Sequence, residues 1–243
     1  MKELKVCWIS SGVSSFVSGW LERDTIDKFI YIHIDDQHPD SLRFIKDCEK
    51  ALGKEIEIMR SNQYNCVKDV WLANRFIVSP SGAKCTQVLK KRVRKKWEYE
   101  HQDYKITYVW GFDKDEISRA DRVKEAMPEF DHQFPLIDHN YTKENAHAIC
   151  LKLGIEIPYM YRIGYNNNNC IGCVKGGKGY WNKIRKDFPE VFNERAKTER
   201  IIGHSILHDK SGCIFLDELD PNAGWDVKEI VPDCGIACEI LDR

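Results

Sequence analysis

Short apolar runs alternate with segments of helical periodicity over the first 155 residues of the chain. Four runs have the length and pattern of strands: residues 4–9, 29–34, 55–59 and 106–110. Helices are predicted between and after them: a helix beginning within residues 15–21, then residues 40–53, 86–100, a charged segment after residue 111, and 142–154. This β-α-β-α order predicts an α/β fold with a mostly parallel sheet that helices cover on both faces.

The pattern changes after about residue 155. Loops rich in glycine, asparagine and cysteine follow, including the tract NNNN at residues 166–169. We therefore expect two parts: an α/β domain at residues 1–155, and a smaller, irregular, cysteine-rich module at residues 156–243 that packs on it.

Composition narrows the class of protein. The formal net charge of -1 excludes a global positive field for nucleic acid, so that any such site must be a local patch. No apolar stretch is long enough to span a bilayer, and the charged start is not typical of a signal peptide. With ten cysteines, these features predict a cytoplasmic protein whose reduced thiols serve metal binding or thiol chemistry.

The turn after the first strand is built almost entirely from small, hydroxylated residues. It comprises Ser10, Ser11, Gly12, Val13, Ser14 and Ser15. In parallel sheets this turn is the usual phosphate site, because small residues let the backbone approach and the next helix presents free N–H groups. A plain strand-to-helix turn would use the same residue types.

The same turn resembles the PP-loop of ATP pyrophosphatases, whose pattern is SGG-x-DS. Ser10, Gly12 and Ser15 match this pattern. Ser11 stands where the family has its first glycine, and Ser14 stands where it has aspartate. The resemblance implies an adenine nucleotide at this turn, within a PP-loop type of α/β sheet.

Three further segments resemble PP-loop proteins of the phosphoadenosine phosphosulfate (PAPS) reductase family. They are HIDDQHP with Asp35, Asp36 and Pro39, the segment KCTQVLKKR, and YVWGFDKDEISRADR with Gly111, Glu116, Arg119 and Arg122. The resemblance implies that Asp35 or Asp36 binds adenine, ribose or Mg2+, that Gly111 lets backbone pass close to the nucleotide, and that Arg119 faces its phosphates. A solvated helix start and an exposed charged helix are the alternative interpretations.

Five cysteines are candidate metal ligands. Cys170 and Cys173 have the two-residue spacing that lets both thiolates face one metal. Cys234 and Cys238 form a second closely spaced pair, and Cys85 stands apart. Either the two pairs, or Cys85 with the first pair and one tail cysteine, would give four ligands. Zinc and an iron–sulfur cluster both accept four thiolates; free buried thiols are the remaining alternative.

The family resemblance favours the second ligand set. In related reductases a cysteine in the region of Cys85 joins a C-x-x-C pair to hold a [4Fe-4S] cluster, although they carry two adjacent cysteines there and this chain has one. Cys7, Cys48 and Cys150 lie on apolar faces and are expected in the core.

Two cationic sets accompany the cysteines. The helix at residues 90–96 carries Lys90, Lys91, Arg92, Arg94, Lys95 and Lys96, close to Trp97 and Tyr99. Residues 175–186 carry five more cations among two aromatics. Basic residues interleaved with aromatics can follow a phosphate backbone and stack on bases, which favours a nucleic acid or nucleotide partner. A solvated helix face is the alternative.

The resemblance implies an enzyme that binds ATP and Mg2+ and releases pyrophosphate after attack on the α-phosphorus. Such activation would support sulfur transfer to a nucleotide or nucleic acid, with a sulfur-donor protein as a further partner. The expected catalytic residues are Ser14 and Cys234. Two alternatives stay open: a sulfonucleotide reductase, although Ala237 replaces the expected histidine after Cys234, and a non-catalytic binding protein with a structural metal.

Overall fold

A computed structural model describes residues 2–80, 82–210 and 212–224. Its main sheet consists of five parallel strands: β1 (Lys2–Ile9), β2 (Lys28–Ile32), β3 (Ile56–Met59), β6 (Tyr104–Val109) and β7 (Asp131–Gln133). Their spatial order is β3-β2-β1-β6-β7. Two small antiparallel hairpins pair β4 (Val78–Ser79) with β5 (Gly82–Ala83), and β8 (Leu207–Asp209) with β9 (Gly212–Ile214). The predicted α/β class with a mostly parallel sheet is confirmed.

Helices fill the connections. In chain order they are α1 (Val13–Leu21), α2 (Asp40–Leu52), α3 (Val67–Asn74), α4 (Arg92–Glu100), α5 (Ile117–Ala126), α6 (Pro135–Asp138), α7 (Lys143–Lys152), α8 (Tyr159–Arg162), α9 (Lys178–Asp187) and α10 (Pro189–Ile202). A π-helical turn, Thr86–Lys91, leads directly into α4. Within the described ranges, no helix has the length and apolar composition needed to cross a membrane.

The sheet is covered on both faces because its strand residues alternate between two hydrophobic clusters. Cys7 and Phe29 point to one face and pack with α1, α2 and α7. Val6 and Ile30 point to the other face and pack with Trp97 of α4. Cys7, Cys48 and Cys150 are fully buried, which confirms their predicted place in the core.

The last third of the described chain is more regular than its composition predicts. It was expected to be irregular, but it carries α9 and α10, which pack against each other. Their apolar faces share one cluster with Trp71 of α3 and Val88 of the π-helical turn. Packing therefore crosses the expected boundary at residue 155, and the cysteine-bearing loops rest on elements from both sides of it.

A buried carboxylate holds the end of this cluster together. Glu199 of α10 is fully buried, and its carboxylate accepts the backbone N–H groups of Ile206 and of Leu216, the latter at 2.7 Å. Burial raises the pKa of Glu199 to about 7, although both N–H groups act in the opposite direction.

This glutamate predicts a pH dependence of stability. Between its ordinary pKa and about 7, the folded chain keeps a proton that the unfolded chain has lost, so the free energy of unfolding falls as pH rises through that window. We expect Glu199→Gln to flatten this slope, because glutamine does not titrate. Urea unfolding of both proteins at pH 5, 6, 7 and 8 measures it; parallel slopes would contradict the assignment.

Candidate functional site

The candidate site lies where the strand order of the main sheet reverses. β1 occupies the centre, and the chain continues outward to β2 on one side and to β6 on the other. In open parallel sheets a crevice forms at this switch point, beyond the carboxyl ends of the two strands. Here the crevice is bordered by the turn after Ile9 and by the segment after Val109.

The first turn has a defined backbone shape. Ser11 is buried and adopts a φ of 58°, the left-handed region that favours glycine. This is the position where the PP-loop pattern has glycine. Asn168 donates from Nδ2 to the Ser11 carbonyl oxygen at 2.8 Å, and Gln37 donates from Nε2 to Ser11 Oγ at 3.2 Å. These buried contacts stabilise a conformation that serine disfavours by about 1–2 kcal/mol.

Ser15 closes the turn from inside the helix. Its Oγ accepts the backbone N–H of Ser10 at 3.0 Å and donates to the Gly12 carbonyl oxygen at 2.9 Å. Ser10 Oγ lies 3.1 Å from the same atom. The hydroxyls of this turn therefore shape it internally, a role that sequence alone did not separate from ligand binding.

Gly111 brings the second segment against the first. A Cβ at this position would lie 2.3 Å from Ser15 Cα and 2.5 Å from Ser15 N. Ser18 Oγ of α1 donates to the Trp110 carbonyl oxygen at 3.0 Å. The expectation that Gly111 permits close backbone approach is thus met by a contact with α1 itself, and any role toward a nucleotide stays a prediction.

The start of α1 faces a tyrosine hydroxyl. Gly12 offers no side chain to cap the helix, and a Cβ there would lie 3.2 Å from Tyr161 Oη. Burial raises the pKa of Tyr161 to about 12, while the N–H groups of Val13 and Asn168 at its oxygen act against that rise. The N–H groups of Ser14 and Ser15 are the remaining donors of the first turn, the type of group that binds a phosphate.

His147 supports that tyrosine from α7. Its ring packs edge-on against Tyr161, with centroids 4.6 Å apart, and it is buried. Neither ring nitrogen has a hydrogen-bond partner among the described residues. Burial lowers the pKa of His147 to about 4, so the imidazole is neutral at physiological pH. The sequence gave no sign of either residue, since each lies outside a motif.

The two aspartates after β2 have different surroundings. Both oxygens of Asp36 are occupied: Oδ2 accepts the N–H of Val67 at 2.6 Å, and Oδ1 pairs with Nη2 of Arg195. Asp36 therefore ties the end of β2 to α3 and α10. Asp35 is half exposed and pairs with Arg60 at 2.6 Å. Of the two, Asp35 is the carboxylate that an incoming ligand reaches.

A third carboxylate, missed in the sequence, follows β6. Asp113 is 5% exposed, and its Oδ1 accepts the N–H of Asp115 at 3.1 Å. Burial, and then the charge of Glu116, raises its pKa. Arg119 is half exposed; it pairs with Glu116 and stacks on Phe112 at 4.2 Å. Arg119 thus lies on the β6 side of the crevice with its charge already partnered.

The structure brings three of the five candidate cysteines together. Burial raises the pKa of Cys170 to about 12, and the charges of Asp36, Cys173 and Cys85 add to the rise. Burial, and then Cys173, raises the pKa of Cys85. Within the described ranges, no three Cys, His, Asp or Glu side chains are placed to hold a metal as they stand. Cys234 and Cys238 lie outside the described residues.

The C-x-x-C loop is shaped by Tyr180 of α9. Its hydroxyl accepts the N–H of Cys173 at 2.9 Å and lies 3.3 Å from the Cys170 carbonyl oxygen. Gly172 between the cysteines has a φ of 72° and packs on Trp181. Lys90 lowers the pKa of both Cys85 and Cys170. A positive charge and a rigid loop at clustered thiols are compatible with thiolate chemistry.

The two cationic sets are less free than predicted. Arg94 is mostly buried and pairs with Glu98 at 3.2 Å, so it belongs to the fold. In the second set, Lys178 pairs with Asp209 at 2.6 Å and Lys183 with Asp187 at 2.8 Å. Arg185 donates to the carbonyl oxygens of Leu216 and Leu219. The free charges are concentrated on α4.

Comparisons with known proteins add no assignment. No model of a protein family matches the sequence, and no curated protein matches it. Function is therefore argued from the site.

Proposed function

We propose that this protein is an adenine-nucleotide-binding enzyme of the PP-loop, PAPS reductase-like kind. One observation carries the proposal: a small, hydroxyl-lined turn with a left-handed residue at the position of the PP-loop glycine lies at the switch point of an all-parallel sheet. Such a turn, with the start of α1, suits the phosphates of a nucleotide.

The proposed reaction is attack of an acceptor oxygen on the α-phosphorus of ATP, with pyrophosphate as the leaving group. The N–H groups at the start of α1 would stabilise charge on the phosphates. Asp35 is placed to hold Mg2+ at the neighbouring strand end. The acceptor would be a nucleotide or nucleic acid, and sulfur transfer from a donor protein would follow activation.

Nucleotide binding can be separated from folding at Ser14. Ser14→Glu places a negative charge in the first turn of α1, which favours the helix but repels phosphate. Ser14→Gln is the neutral control of equal size. By calorimetry with a non-hydrolysable ATP analogue and Mg2+, we expect the Glu variant to lose about tenfold or more in affinity, a cost of about 1.4 kcal/mol. Equal affinities for the two variants would contradict the proposed site.

The cysteine cluster would hold the metal of this enzyme. Cys85, Cys170 and Cys173 supply thiolates, the donor type that zinc and iron–sulfur clusters take. The buried Nε1 of Trp71 has no hydrogen-bond partner among the described residues, and its indole lies beside the Cys85 thiol, whose pKa it lowers. A metal-bound thiolate would satisfy that donor. A cysteine from the tail, Cys234 or Cys238, would complete the set.

Metal content tests this assignment. Protein purified without oxygen should contain metal, and Cys85→Ser, Cys170→Ser and Cys173→Ser should each lose it, because ligand removal uncouples metal binding from folding. The control is Cys213→Ser, an exposed thiol on β9. Iron with acid-labile sulfide indicates a cluster, and zinc in a colourless protein indicates a zinc site. Metal-free, folded wild type would contradict the assignment.

A non-catalytic nucleotide-binding protein is the second candidate. It is favoured by the engagement of Asp36 with Arg195 and Val67, which leaves that carboxylate unavailable to Mg2+. Pyrophosphate release from ATP in the presence of candidate acceptors separates the two functions.

A further inference from the structure

A basic cleft lies beside α4, apart from the crevice at the switch point. It has a volume of about 110 Å3 and is formed between the segment after β3 and the exposed side of α4. Its lining residues are Met59, Arg60, Ser61, Asn62, Gln63, Val88, Arg92, Val93, Lys96 and Glu100. Three cations and two side-chain amides therefore surround a space of several water volumes.

The cations of this cleft are only loosely engaged. Arg92 lies 3.4 Å from Oε1 of Gln63, and Lys96 lies 3.7 Å from Glu100. Arg60 gives one nitrogen to Asp35. Exposed pairs of this kind contribute little, and each guanidinium keeps further donors free for an anion. A phosphate group fits both the charge and the size of the cleft.

The exposed face of α4 extends this charge. Arg92, Lys95, Lys96 and Tyr99 follow the i, i+3, i+4, i+7 spacing that places side chains on one side of a helix. In the described part of the chain, no carboxylate lies within ion-pairing distance of Lys91 or Lys95. The face thus continues the cleft as a cationic strip.

Tyr99 stands at the end of that strip. Its side chain is 72% exposed, whereas the neighbouring Trp97 is 1% exposed and belongs to the core. A large aromatic ring left in solvent beside cations is the arrangement on which nucleic-acid bases stack. Sequence analysis grouped the two aromatics, and the structure separates them.

The cleft shares an edge of the sheet with the candidate nucleotide site. It adjoins the carboxyl end of β3, which lies two strands from β1 in the parallel sheet. At the usual strand spacing this is about 10 Å across the sheet. A chain of nucleotides anchored in the cleft would therefore reach the switch point within a few residues of its length.

We propose that the cleft and Tyr99 form a docking site for single-stranded nucleic acid, with a backbone phosphate between Arg60, Arg92 and Lys96 and a base stacked on Tyr99. A free mononucleotide is a poorer match, because the cleft is too small for its base and Tyr99 lies along the helix. The inference rests on the proposed function only in naming the bound strand as the acceptor.

The test uses fluorescence anisotropy with labelled single-stranded DNA and RNA oligonucleotides over a range of salt concentrations. Tyr99→Ala should weaken binding about fivefold or more, the effect of one stacked base, and Tyr99→Phe should retain it. The double variant Arg92→Ala/Lys96→Ala should lower the log–log salt slope by about 1.4, for two lost phosphate contacts. A matched control, Lys28→Ala/Lys50→Ala, removes two exposed charges elsewhere and should bind as wild type.

Three results would overturn the docking site: no binding at low salt, binding indifferent to Tyr99→Ala, or an equal loss in the control. Preference for a duplex with no role for Tyr99 would also count against it. The same preparations, titrated with the ATP analogue, keep the two proposals apart. Tyr99-dependent strand binding without nucleotide binding would refute only the proposed function.

Discussion

Asp36→Ala is expected to destabilise the protein by about 3–5 kcal/mol. The substitution leaves the guanidinium of Arg195 buried without its partner, and removing one member of a buried pair carries a cost of that size. It also removes the acceptor for the N–H of Val67, the first residue of α3. Urea unfolding followed by circular dichroism measures the loss, which is a large fraction of the stability of a typical domain.

The adjacent residue is the matched control. Asp35 carries the same carboxylate, but it is half exposed and pairs with an exposed arginine. Asp35→Ala should therefore change the free energy of unfolding by less than about 1 kcal/mol. If the two variants are equally stable, Asp36 is not the structural tie between β2, α3 and α10, and its predicted nucleotide role regains weight.

Gly111→Ala is expected to disrupt the switch point. The new methyl group would lie 2.3 Å from the Cα of Ser15, and a backbone atom cannot give way as a side chain can. Overpacking of this kind costs about 3 kcal/mol. We expect lower stability in urea together with a weakened affinity for the ATP analogue, since α1 and the turn before it would shift.

Gly177→Ala is the comparison for this second variant. Gly177 has an ordinary φ of -82°, and a Cβ there would meet nothing within 4 Å. It should cost less than about 1 kcal/mol and leave nucleotide affinity unchanged. Wild-type behaviour of Gly111→Ala would show that α1 does not pack against this backbone as described.

Apolar runs predicted the strands at the centre of the sheet because those strands are buried on both faces. The run at residues 29–34 corresponds to Lys28–Ile32, and the run at 55–59 to Ile56–Met59. The edge strand Asp131–Gln133 escaped prediction, since its polar sequence reflects an exposed edge rather than a core. Gly53 was correctly placed after α2, where it adopts a φ of 62°.

Other features depend on tertiary contacts that no local pattern encodes. Asn168 lies in a tract that resembles a simple repeat, yet it is buried and donates to both Ser11 and Ser41 Oγ. Arg94 was grouped with the free cations of its helix, although it is held by Glu98. Helical periodicity could have separated it, because Val93 and Trp97 mark the buried side of α4.

The cysteine cluster shows the limit from the other direction. Spacing identified Cys170 and Cys173 as a pair, and the family resemblance added Cys85. The contacts that place Cys85 near them come from Trp71 of α3 and from the packing of α9 and α10, elements that the sequence analysis did not predict. Which tail cysteine joins them stays a prediction.

Hydrogen–deuterium exchange with and without the ATP analogue and Mg2+ tests the central claim most directly. The account predicts slower exchange in two peptides, one covering residues 9–16 and the other residues 109–116, because a nucleotide in the crevice would engage the N–H groups after β1 and exclude water from the segment after β6. Unchanged exchange in both peptides at saturating nucleotide, or protection confined to other parts of the chain, would contradict it.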